Sequence, residues 1–219
     1  MRKLGLVLLA AWTASAASIT ISSYDIRDAS VAGTGAWNHS YNGTITPGAG
    51  ESAAYAGGSG TLNDGVFGTT EQDTQLFQVG ALNPVITLFL PGSFFINSIS
   101  FFGGPLNNAI PGCFTGLTVG IGGNSAAIAT TAFGSASACN VPADDLATIT
   151  GTSLQGIATT SIQLSGFTGP LFGDIYFSIS EIQIDGVAAG GQVPEPETIS
   201  LIGAGLLGVA IFKRRLSLR

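Results

Sequence analysis

The sequence predicts an all-β domain, an antiparallel sandwich or barrel, on three observations. Helical periodicity is nearly absent from residues 18–190, where short runs rich in Ser, Thr, Ile, Val and Phe recur instead. Breakers such as Pro91-Gly92, Gly103-Gly104 and Asp185-Gly186 separate those runs. Glycine supplies 32 of 219 residues, about twice its usual share of roughly 7%. Taken in order, the runs predict strands at 19–24, 37–46, 74–79, 85–90, 94–102, 117–121, 127–133, 161–167 and 175–184. In the last of these, alternation puts Ile175, Phe177, Ile179 and Glu181 on one face and Tyr176, Ser178, Ser180 and Ile182 on the other.

Charge is sparse and uneven. Only 9% of residues are charged, against about 25% in an ordinary soluble domain. Arg2 and Lys3 start the chain, and Lys213, Arg214, Arg215 and Arg219 end it, leaving Arg27 as the one interior cation against eleven acids. A body this acidic lacks the basic footprint that nucleic acid requires. Apolar runs inside residues 19–192 stay far below the about 20 residues a helical span needs, which excludes a helical membrane domain there. A transmembrane barrel is disfavoured too, because the few Tyr and the single Trp of the body cannot furnish aromatic girdles.

Both ends read as processing signals. Residues 1–17 give a cationic start, an apolar stretch over 4–12 and the small-residue site Ala14-Ser15-Ala16, the order of a secretory signal peptide. Cleavage after Ala16 or Ala17 would start the mature chain near Ser18. The body, 18–190, is long enough for one domain with a real core. Segment 191–219 opens on Val193-Pro194-Glu195-Pro196, where two prolines forbid helix continuation. Fourteen uncharged residues, 199–212, follow, and then Lys213-Arg214-Arg215. A helix of that length reaches roughly 21 Å, short of a typical ~30 Å span, with the basic cluster holding its far end in the cytoplasm. Gly203-Ala204-Gly205-Leu206-Leu207-Gly208 matches GxGxxG but lies inside this apolar run, without the strand a dinucleotide site needs.

These three parts in order resemble a PEP-CTERM sorting signal. The resemblance implies recognition of Pro194-Glu195-Pro196 by an exosortase-type enzyme and a transient helical anchor at the inner membrane of a Gram-negative bacterium. Delivery to the cell surface or extracellular matrix follows from it.

The body is similar to a second family. Thr61-Leu62-Asn63-Asp64-Gly65, Val85 to Leu90, Asn97-Ser98-Ile99-Ser100, Leu117-Thr118-Val119 and the closing Ile179 to Gly186 occur in one order. In that order they resemble the galactose-binding-like (discoidin, F5/8 type C) jelly roll. The resemblance implies an eight-stranded sandwich, many of whose members bind carbohydrate. It also implies a structural Ca²⁺ near the L-x-D-G loop, with Asp64 and Glu181 as ligands.

Other residues invite roles of their own. Trp37, His39 and Tyr41 alternate, so one strand would place them on one face, as core packing, the commoner role of alternating aromatics, or as a sugar platform. Cys113 and Cys139, 26 residues apart in an exported chain, are expected to form a disulfide contributing roughly 3–4 kcal/mol. Catalysis finds little footing: His39 is the sole histidine, and Asp144-Asp145 point oppositely if extended. The expected function is therefore a non-enzymatic exported surface or matrix protein, structural or weakly carbohydrate-binding. The alternative is a polysaccharide-active hydrolase or lyase using paired acidic residues.

Overall fold

The computed structural model describes residues 17–30, 40–50, 52–68, 73–103, 114–133, 144–169 and 176–190. The chain divides into two compact units, Ser15–Ala189 and a second made of Met1–Ala14 with Gly190–Arg219, of which only Gly190 is among the described residues. No helix of the described residues is long and apolar enough to cross a membrane. The signal peptide and the hydrophobic tail helix expected from the sequence lie outside them.

The body is an antiparallel jelly-roll β-sandwich with thirteen strands among the described residues: β1 (Ala17–Ile19), β2 (Ser23–Ser30), β3 (Thr44–Pro47), β4 (Ser52–Gly58), β5 (Gln75–Gln78), β6 (Val85–Phe102), β7 (Gly116–Ile121), β8 (Asn124–Ala129), β9 (Thr131–Ala132), β10 (Asp144–Thr148), β11 (Ala158–Thr168), β12 (Tyr176–Ile179) and β13 (Glu181–Ala188). The first half of β6 lies between β2 and β11 in a sheet of order β3-β4-β2-β6-β11-β7-β8. Its second half lies between β13 and β10, which carry β1 and β9 on their outer sides. One strand therefore serves both layers. Strands β5 and β12 form a separate pair.

Two irregularities let β6 do this. Between its pairings Phe89↔Ser161 and Phe94↔Thr159, β6 spends five steps where β11 spends two, so Leu90 to Ser93 bow out of the ladder. Pro91, which has no N–H to donate, sits in that bow. The second irregularity is at Asn97, which has no register partner in β13 because Ser98 faces Asp185 and Ile96 faces Gly186, while its Nδ2 donates to Asp185 Oδ2 at 3.3 Å. The buried set accordingly shifts from even positions (Ile86, Leu88, Leu90, Ile96) to odd ones (Ile99, Phe101). The Asn97 carbonyl is not wasted, since it accepts from Ile149 N at 2.8 Å and Thr150 N at 3.1 Å.

Aromatic rings close the core. Phe114 touches Phe101 of β6, Phe167 of β11 and Phe177 of β12, with centroids 5.1–5.3 Å apart, and Phe77 of β5 stacks on Phe177 at 5.1 Å. Rings at these separations add about 0.5–1.5 kcal/mol per pair beyond the area they bury.

Several expected strands change. The run 19–24 divides at Thr20 to Ser22, where the chain leaves β13 and joins β6 and β4. The runs 85–90 and 94–102 fuse into β6, because Pro91-Gly92 bends the strand without ending it. The run 175–184 breaks at Ser180, whose N–H and hydroxyl both bond the Phe102 carbonyl, at 2.7 and 3.0 Å. Residues 177–182 are buried on both sides of that break, so the alternating faces expected there do not form. The run 127–133 becomes β8 and β9. Ala- and Gly-rich β4 and acid-led β10 had no strand signal in the sequence.

Two consequences can be measured. Gly186 packs so closely that a Cβ would meet the Phe95 carbonyl oxygen and lie 2.8 Å from Ile19 Cδ1. Gly186→Ala is expected to cost about 1–3 kcal/mol in urea unfolding, whereas an unchanged midpoint would show β1 loosely held. Asp145 is buried, with Phe114 N donating to its carboxylate at 3.2 Å, and burial pushes its pKa from 3.8 up to about 6. Between those values the folded chain holds the proton more tightly than the unfolded chain, so this group's contribution to stability falls as pH rises through that window. Asp145→Asn should flatten the decline in melting temperature between pH 4 and 6.5, and an unaltered slope would contradict the assignment.

Candidate functional site

The segment after β4 builds the site. Residues 40–42 and 59–61 run side by side: Thr61 N donates to Ser40 O at 3.0 Å, Ser40 N to Thr61 Oγ1 at 2.8 Å, and Asn42 N to Ser59 O at 3.0 Å. Ser59 N returns a bond to Asn42 Oδ1 at 2.8 Å. Between them Tyr41 and Gly60 form an isolated bridge, and Gly60 is required there because a Cβ would overlap the Ser40 carbonyl. Asn63 then ties the turn down. Its Oδ1 accepts from Gly60 N at 2.9 Å and its Nδ2 donates to Ile21 O at 2.9 Å. Leu62 is fully buried, and its carbonyl accepts from Ile182 N at 2.9 Å.

That anchoring brings Asp64 and Glu181 together across a separation of more than a hundred residues. Gly65 N donates to Glu181 Oε2 at 3.0 Å, and Val66 N to Asp64 Oδ1 at 2.9 Å. Asp64 is exposed while Glu181 is 6% exposed. Burial, opposed by the Gly65 N–H and reinforced by the Asp64 charge, pushes the Glu181 pKa from 4.5 up to about 7. Arg27, the one described cation, is engaged with Asp28 at 3.9 Å. Among the described residues no three His, Cys, Asp or Glu side chains form a metal cluster.

Beside this turn lies a concavity of about 370 Å³ lined by Ser40, Tyr41, Asn42, Ser59, Gly60, Asn63 and Asp64. Its walls offer hydroxyl, amide and carboxylate groups. Tyr41 is half-buried, its ring 5.1 Å from those of Tyr24 and Tyr55. Its hydroxyl donates to Tyr24 O at 2.7 Å and accepts from Gly58 N at 2.8 Å. Tyr41 thus braces β2 against β4 and is one of the residues lining the concavity. Trp37 and His39 lie outside the described residues, as do Cys113 and Cys139, Val193 to Pro196, and Lys213 to Arg215.

The acids considered for catalysis do not converge. Asp145 faces the interior and its neighbour Asp144 is half-buried on the other side of β10. Burial raises the Asp144 pKa as well, eased by a bond from Gly103 N–H. The sequence offered no signal for the Asn42–Ser59 pairing, because two short polar residues in separate turns carry no periodicity.

Residues 192–215 match the family described as the PEP-CTERM protein-sorting motif. That match covers the tail and bears out the sorting signal read from the sequence. No curated protein matches the chain. Among solved structures, the chain is similar to the family 32 carbohydrate-binding module of Clostridium perfringens NanJ in complex with galactose, at 14% identity and TM-score 0.45, covering 78% of this chain and 99% of that one. It is also similar to the C-terminal domain of a chitobiase from Bacteroides fragilis, at 13% identity and TM-score 0.47, covering 79% and 99%. Likeness at this level speaks to neither ligand nor activity.

Removing Asn63 tests how the site is held. Asn63→Ala strips partners from Gly60 N and Ile21 O and is expected to cost about 1–3 kcal/mol. Equal stability would show that the turn stands without it.

Proposed function

We propose that the chain is a non-enzymatic protein, exported and sorted through its tail, whose sandwich binds extracellular polysaccharide in the concavity beside residues 59–64. The observation that carries this reading is the concavity itself. A hollow whose lining residues carry hydroxyl, amide and carboxylate groups beside apolar surface suits a sugar, whose hydroxyls need donors and acceptors and whose ring faces are apolar. The sorting motif supports it, because an exported protein has access to extracellular polysaccharide. Phosphate-rich partners are disfavoured by a body with one cation.

The reading as a hydrolase or lyase is weaker on the geometry. Glycoside hydrolysis needs two carboxyl groups open to the substrate from opposite sides of the bond. Glu181, the carboxyl with the most raised pKa among the described acids, is buried beneath its own loop with one oxygen committed to Gly65 N.

Calcium belongs to the same proposal. Asp64 and Glu181, the latter bonded by Gly65 N at 3.0 Å, meet at one turn with no cation free among the described residues, which suits a hard divalent ion that takes six to eight oxygens. Asp64 and Glu181 would hold it, with the loop and water completing the shell, and it would supply charge neutralisation and a stiffer turn. No chemical step passes through it.

Two measurements test these assignments. In native gels containing alginate or dextran, the full exported protein should be retarded by at least one polymer, and Asn42→Ala should lose most of that retardation with little change in melting temperature. No retardation across acidic and neutral polymers would leave a purely structural module. Millimolar Ca²⁺ should raise the melting temperature and EDTA reverse it, with Asp64→Ala insensitive to both. A melting temperature indifferent to either would make Glu181 a loop brace alone.

A further inference from the structure

One edge of the sandwich lacks the protections that the others carry. In the larger sheet, β1, β3, β8 and β9 each have a single neighbour among the described residues. Such an edge offers unpaired backbone groups to another chain, and proteins commonly shorten it, charge it, bulge it or place proline on it. Strands β1 and β9 run only three and two residues, and β3 ends on Pro47, which has no N–H to donate. Strand β8 has six residues, no proline and no charge, and its register with β7 is unbroken from Ile121↔Asn124 to Gly116↔Ala129. We propose that β8 is a self-association edge, pairing antiparallel with β8 of a second copy about a two-fold axis at Ala127.

The phase of the β7–β8 ladder decides which groups are on offer. The hairpin turns through Gly122 and Gly123, whose φ angles of 56° and 81° suit a two-residue turn. Hydrogen-bonded and non-bonded pairs alternate along such a ladder. At its far end Thr130 N donates to Thr115 O at 3.0 Å. Counting back in steps of two, Ile128, Ala126 and Asn124 direct their N–H and C=O groups towards β7, and Ser125, Ala127 and Ala129 direct theirs away. Those three residues are exposed, and their side chains are too small to shield the backbone. Pairing Ala127 with its counterpart sets Ser125 opposite Ala129 and gives the outward groups of both copies their missing partners.

Charge selects the occupant. With eleven acids and one cation in the body, two copies repel wherever acids meet. No charged residue lies between Asp73 and Asp144, and β11, next in the sheet beyond β7, has none either. At this edge a charged partner finds nothing to attract it, and a second copy finds nothing to repel it.

Sedimentation of the full exported protein from micromolar to millimolar concentration should show a monomer–dimer equilibrium. Ala127→Pro removes the outward N–H at the axis without touching a bond to β7, and should weaken the dimer about tenfold or more. Thr44→Lys on the β3 edge should leave it unchanged. Amide exchange needs no variant: protection at Ser125, Ala127 and Ala129 should rise with protein concentration, while that at Asn124, Ala126 and Ile128 stays constant. A monomer throughout the range, a dimer indifferent to Ala127→Pro, or exchange at 125, 127 and 129 independent of concentration overturns the proposal. The sugar reading stands or falls separately, on Asn42→Ala.

Discussion

Everything in this domain hangs on β6, a single strand that serves two layers. Its residues before Leu90 are laddered to β2 and β11, and those after Ser93 to β13 and, from Ser98 on, β10, with β11 reaching past the bow to Phe94 and Phe95. A sandwich whose layers share a strand cannot slide one layer on the other without breaking hydrogen bonds in both. Two local departures from regular pleating make the sharing feasible: the bow at Pro91, and the register gap at Asn97 that reverses which face is buried. Each costs ladder bonds, and the Asn97 carbonyl recovers some of that cost by accepting from residues 149 and 150. The aromatic group around Phe114 fills the space between the layers, so the shared strand and the core lock together.

The candidate site inherits this rigidity. Strand β13 lies against the second half of β6, and its first residue, Glu181, reaches back to the 59–66 turn. Strand β2 lies against the first half, and the Ile21 carbonyl just before it accepts from Asn63 Nδ2. The turn is thus fastened to both layers at once, through Leu62 and Asn63. A buried carboxyl that is hard to ionise sits under it, a cost that a bound cation would offset. The concavity opens beside the fastened turn, which suits recognition by a preformed surface.

Much of this was legible in the sequence, for physical reasons that differ by element. The tail was legible because its proline breaker, apolar run and basic cluster, in that order, resemble a known sorting signal, which the family match bears out. The runs that became β5, β7 and β11 were legible because they are short apolar-bearing runs between turns, with branched residues in β7 and β11 and Leu76-Phe77 in β5. Strand β4 was not, since Ala and Gly carry little strand preference and its pairing with β2 and β3 decides it. The continuity of β6 was hidden by Pro91-Gly92, which read as an end and proved a bend. Asp64 and Glu181 came together only through a family resemblance, as nothing local links residues so distant in the chain. The Asn42–Ser59 contact had no signal at all.

Native-state hydrogen exchange tests the central claim most directly. If β6 couples the layers, the amides of Ile86, Leu88, Ile99 and Phe101 should exchange only by global unfolding, with one common free energy and one common denaturant slope. Exchange of residues 99 and 101 through an opening several-fold easier than that of residues 86 and 88 would contradict it, and would mean two layers that open apart.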